Sequence, residues 1–198
     1  DDWMYVKYTS VSPTQTSHVY VDGHHEGNVY VGQYNLELRR SDTAPNPDLP
    51  LEGTDFDGLD AEELVASIVP KSNGRYLMGT FCIDINQDAP TSYLEYDIVP
   101  LEEAPIPIGQ QMTTQQANDL RMLMSYLPSS LTADKAAAFQ AAVWEIINET
   151  SRKYDVHSYG SGSTGFRVGS TAGWTGTANT YLDGVLNTYK NDQGTYDL

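Results

Sequence analysis

Cysteine is nearly absent from this chain: its 198 residues contain one, Cys82. One thiol makes no internal disulfide, so the redox compartment cannot be read from pairing. Positive charge is scarce too, with 11 Lys and Arg against 27 Asp and Glu and a formal net charge of −16. Such a balance repels phosphate backbones and anionic lipid surfaces, which argues against nucleic-acid binding and membrane association. No apolar run approaches the roughly 18 residues that mark a membrane-spanning helix. The chain opens at Asp1 without a charged-then-apolar leader, so no targeting segment is expected within it, although a mature or trimmed chain would look the same. The length suits one domain able to bury a sizeable core.

What is present falls into two textures. From Val19 to Leu38 apolar and polar residues alternate around Asp22-Gly23-His24-His25-Glu26-Gly27, which predicts two strands joined by a turn. Further strands are expected at Tyr76 to Ile85 and Tyr93 to Val99. Between the hairpin and these strands, residues 41 to 63 are dense in Pro, Gly, Asp and Asn and read as a long acidic loop. The prolines of "PLEEAPIPIG", Pro100 to Gly109, feed neither a ladder nor a helix interior and mark a boundary.

Beyond it the helical period takes over, with Ala117, Leu120, Met124 and Leu127 on one stripe from Thr114 to Tyr126 and Pro128 as the stop. Thr132 offers an N-cap to a helix expected to reach Tyr154, with Asp134 in its first turn. A Gly- and Ser-rich loop leads to a last helix capped at Thr177, with Ala178, Tyr181, Leu182, Val185, Leu186 and Tyr189 at the helical spacing. The expected class is α+β, a β-sheet or barrel-like body with a helical subdomain. Within one domain, 1–100 is mainly β, 101–155 helical, and 156–198 a loop plus the C-terminal helix.

Two residues do not suit these patterns. Read as a strand, Tyr76 to Ile85 places Leu77, Phe81, Ile83 and Ile85 on one face and Tyr76, Met78, Thr80, Cys82 and Asp84 on the other. The thiol therefore sits off the greasier side, although a free thiol behaves as a small hydrophobe. In the helix after Thr132, Gln140 interrupts an apolar stripe of Phe139, Val143, Trp144 and Ile147. Asp134, Lys135, Glu145, Asn148 and Glu149 take the opposite side. A buried amide left unpaired costs roughly 1 to 3 kcal/mol, so Gln140 requires partners or a reaction. An ordinary structural cysteine and a seam glutamine bonded to backbone are the plainer alternatives.

Together, Phe81-Cys82-Ile83-Asp84 and Phe139-Gln140-Ala141-Ala142-Val143-Trp144 resemble the paired motifs of thioester domains in surface proteins of Gram-positive and some other bacteria. In that family an aromatic-Cys-hydrophobic-Asp motif supplies a thiol, and a later Gln, followed by two residues, a hydrophobic residue and Trp, supplies a carboxamide. The family often has Thr directly before the Gln, where this chain has Phe139. The likeness extends loosely to "NVYVGQYNLEL".

The resemblance implies a Cys82–Gln140 thioester spanning a sheet-like body and a helical subdomain. It further implies a monomeric adhesion domain on the bacterial cell surface, linking covalently to an amine, such as a lysine, of a partner. The reagent is used once, without enzymatic turnover, and needs no cofactor or metal. Asp84 and Trp144 are expected to support the site, Asp84 by managing protons or capping backbone, Trp144 with Val143 as a shield against water or as core. His157 and Tyr159 are further candidates for proton transfer. A noncovalent binding or structural module and a cysteine hydrolase pairing Cys82 with His157 are the alternatives. Metal binding at His24, His25 and Glu26, or calcium at Asp55, Asp57 and Asp60, competes with solvated turn and loop readings. Asp84, Asn86, Asp88 and Glu95 have the spacing of an EF-hand loop, but Ala89 stands where that loop needs glycine.

Overall fold

The alternation from Trp3 onward builds a long antiparallel hairpin, β1 (Trp3–Val21) and β2 (His24–Arg39). In the computed structural model, which describes residues 3–39, 65–71, 75–86, 89–97, 99–106, 110–149, 151–158, 165–169 and 173–193, these strands centre the main sheet. The hairpin turns on two residues, Asp22 and Gly23, both at positive φ (48° and 79°), not on the six expected. An Asp-Gly pair adopts that mirror-image turn readily, and its twist matches the flanking strands. His24, His25 and Glu26 therefore belong to β2. At Gly32 a Cβ would lie 2.3 Å from the Pro13 carbonyl oxygen, so the close approach of the two strands there requires glycine.

β3 (Val65–Lys71) and β4 (Arg75–Thr80) extend the sheet on the β2 side and β5 (Leu94–Asp97) on the β1 side, giving the order β3-β4-β2-β1-β5. A short pair, β6 (Pro105–Ile106) and β7 (Gln110–Gln111), follows a helical turn at Leu101–Glu103. The helices α1 (Thr114–Met124) and α2 (Ala133–Asn148) come next. β8 (Phe166–Val168) then returns to pair with the end of β1, and α3 (Gly173–Gln193) closes the order. The class is α+β, an antiparallel sheet body with a helical part. Among the described residues no helix is long and apolar enough to cross a membrane.

Helix α2 is the centre of the core. It packs on β1, β2, β8, α1 and α3, and every residue from Ala136 to Ile147 is buried. A helix enclosed on all sides offers no solvent face. The expected polar side therefore fails for Glu145 and Glu149, which are 0% and 3% exposed. Glu145 Oε1 accepts the Asp155 N–H and Glu149 Oε1 the Ser151 N–H, so both carboxylates cap the chain that leaves the helix. α2 ends at Asn148, short of Tyr154, because Glu149 is extended and Arg152 takes a positive φ of 57°. That conformation sets the Arg152 guanidinium on buried Asp119, at 2.9 and 3.0 Å, where the Tyr154 hydroxyl also donates. α3 begins by Gly173, so Thr177 lies inside it and is no cap.

Candidate functional site

The Cys82 motif lies just past a strand, not within one. β4 ends at Thr80, and residues 81–86 form an irregular turn. The buried Phe81 ring packs on Phe139 at a centroid distance of 4.6 Å, and Phe139 packs in turn on Tyr181 of α3. Phe81 and Phe139 directly precede Cys82 and Gln140, so this aromatic contact fixes both neighbours. Phe139, which stands where the motif it resembles often has Thr, thus has a packing role here.

α2 delivers Gln140 from the other side. Thr132 caps the helix by accepting the Lys135 N–H, and two turns later Gln140 is fully enclosed. Its carboxamide pairs with the Cys82 backbone in both directions. The Cys82 N–H donates to Gln140 Oε1 at 2.8 Å, and Gln140 Nε2 donates to the Cys82 carbonyl at 2.8 Å. The amide plays the part of an adjoining strand for a residue that has left the sheet. A helix residue and a loop residue 58 positions apart are thereby held in one geometry.

The Cys82 thiol donates to the Asp84 carbonyl oxygen at 3.0 Å. Burial pushes the thiol up to about 11, a shift offset in part by a backbone hydrogen bond at Asp84 and reinforced by the Asp84 charge. The Asp84 side chain accepts the Asn86 N–H at 2.9 Å, so it braces the turn that carries the thiol. Tyr34 of β2, in register with Thr80, was not singled out by the sequence pattern. Its phenol is held well above the usual range by burial and then by the neighbouring Cys82, and its ring lies 6.2 Å from Tyr8. The Tyr8 N–H donates to Pro90, tying the far end of the Cys82 loop to β1. The signal for Tyr34 lay in strand pairing, which one sequence does not reveal.

The other expected residues go elsewhere. Trp144, 1% exposed, packs on Phe166 of β8 at 5.7 Å, as part of the core. His157 Nε2 lies 2.7 Å from the Thr175 hydroxyl and its Nδ1 3.2 Å from Asn179 Nδ2, so its ring nitrogens face α3. His25 faces His18 across the hairpin, 3.0 Å between ring nitrogens, and Glu95 accepts from the Tyr5 hydroxyl. Asp55, Asp57, Asp60, Asp88 and Tyr159 lie outside the described residues. Among the described residues, no three His, Cys, Asp or Glu side chains are grouped to hold a metal ion. Comparison of the chain with protein-family models, curated proteins and solved structures finds no match.

Proposed function

We propose that this chain is a surface-displayed bacterial adhesion domain that stores an internal Cys82–Gln140 thioester and uses it once to form an amide bond with an amine of a partner. One observation carries the reading: the Gln140 carboxamide, itself fully buried, is docked on the peptide of the partly buried Cys82 by two reciprocal hydrogen bonds. When the sulfur attacks Cδ of Gln140, negative charge grows on Oε1. The Cys82 N–H already points at that atom. One such donor is worth on the order of 10² to 10³ in rate. The Cδ–N bond then breaks, the thiol proton passes to Nε2, and ammonia leaves. Fixed intramolecular geometry of this kind reaches effective molarities on the order of 10⁵ to 10⁸ M.

The same burial that raises the Cys82 thiol makes it a poor leaving group, which slows hydrolysis and suits storage. A partner lysine attacking the acyl carbon forms the amide and returns the sulfur as a thiol. The partner is an amine-bearing protein or surface ligand, and the localisation is the bacterial cell surface. The test is methylamine at mildly alkaline pH: one equivalent adds to Gln140 and one thiol becomes titratable. Neither change, in buffer or in mild denaturant, would falsify the stored electrophile. A hydrolase instead predicts ester turnover that survives Gln140→Ala.

A further inference from the structure

Strand register gathers basic side chains on one patch of this acidic molecule. Tyr5 pairs with Arg39 and Lys7 with Glu37, while Glu37 pairs with Leu77, two residues from Arg75. Side chains alternate across a sheet, so Tyr5, Lys7, Glu37, Arg39 and Arg75 share a face. Val6 and Leu38, between them, are buried on the opposite face. The loop before β5 lays Tyr93 over this group. Its ring has the Arg39 guanidinium at 3.7 Å, Lys7 Nζ at 5.8 Å and Arg75 at 5.9 Å from the centroid.

Among the described residues, acidic compensation there is incomplete. Arg75 pairs with Glu37 at 2.7 Å, and Glu37 also accepts from the Tyr93 hydroxyl. Glu95 stands at the rim on the Tyr5 hydroxyl. Among the described residues, three cations thus meet two carboxylates. Lys7 and Arg39 have no carboxylate partner among the described residues, although the chain carries 27 acidic side chains for 11 basic ones. The Nε atoms of Arg39 and Arg75 are both buried without a hydrogen-bond partner among the described residues. Stacking on Tyr93 holds the Arg39 guanidinium flat and pre-ordered, and the planar fork of a guanidinium matches the oxygens of an oxyanion.

We propose that Lys7, Arg39 and Arg75, ordered around Tyr93, form a binding site for a sulfate or phosphate group. The group accepts charge-assisted hydrogen bonds from the guanidinium donors, with Lys7 as an added point charge. The site is independent of the thioester, so Cys82→Ala retains it.

The test titrates sodium sulfate, sodium phosphate and a sulfated disaccharide into the 198-residue chain, against sodium chloride at matched ionic strength. The readouts are the Arg Nε–H signals by NMR and the melting temperature. Expected are saturable shifts of the Arg39 and Arg75 signals, a melting temperature above the chloride control, and about tenfold or more weaker binding in K7Q/R39Q. Tighter binding of the disaccharide assigns a saccharide-borne sulfate; equal binding assigns the free oxyanion. Should the double variant unfold, K7Q alone and the wild-type Arg39 signal decide. No shift beyond chloride, or undiminished binding in the folded variant, overturns the site.

Discussion

The Phe81 and Phe139 rings fasten the two halves of the site by packing on each other directly beside Cys82 and Gln140. Phe139 is fully buried between Phe81 and Tyr181. Its replacement by alanine removes both ring contacts, and truncating a buried Phe costs about 3 to 5 kcal/mol. In a Cys82→Ala background, where no cross-link contributes, F139A is expected to lose that much in a urea unfolding curve; a loss below about 1 kcal/mol would show that the rings do not hold the site. The two central residues were legible because each breaks its local pattern: a thiol off the apolar face, an amide inside an apolar stripe. Tyr34 and the Tyr8 tie to Pro90 were not, because they depend on which strands become neighbours.

Helix α2 shows what enclosure does to an element. Glu145 is fully buried, and desolvation pushes its carboxyl up to about 8, partly offset by the Asp155 N–H and reinforced by the charges of Glu149 and Asp155. Its ordinary value, near 4.5, is lower than its folded one, so folding favours the protonated acid. This group's contribution is complete below about 4.5 and is lost as pH rises towards 8, with a slope of at most about 1.4 kcal/mol per pH unit. Glu145→Gln keeps an acceptor for Asp155 and removes the ionisation. Its melting temperature should match wild type at pH 4.5 and exceed it at pH 8; equal curves at both pH values would place the charge elsewhere. The start of α2 was readable from Thr132 and Asp134. Its end and its buried acids were not, since a pattern of Glu and Asn signals solvent only where a helix has a solvent face. The end of β4 at Thr80 was hidden likewise, because Phe81, Ile83 and Ile85 continue the alternation after the ladder has stopped.

At the scale of the whole molecule, strands before helices led directly to the α+β class. The return of β8 to β1, from a stretch read as loop, needs contacts between residues far apart in the chain that no local period encodes, from Val19 with Val168 to Val21 with Phe166. The Cys82–Gln140 contact joins the sheet body to its central helix, so a bond there would be a covalent strut across the core. Loss of ammonia is its signature, and intact mass under denaturing, non-nucleophilic conditions reads it directly. Wild type is predicted to be lighter than the sequence mass by one ammonia, and C82A and Q140A to match theirs. A wild-type chain at full sequence mass, with its thiol open to alkylation and no hydrolysed Gln140, would contradict the thioester.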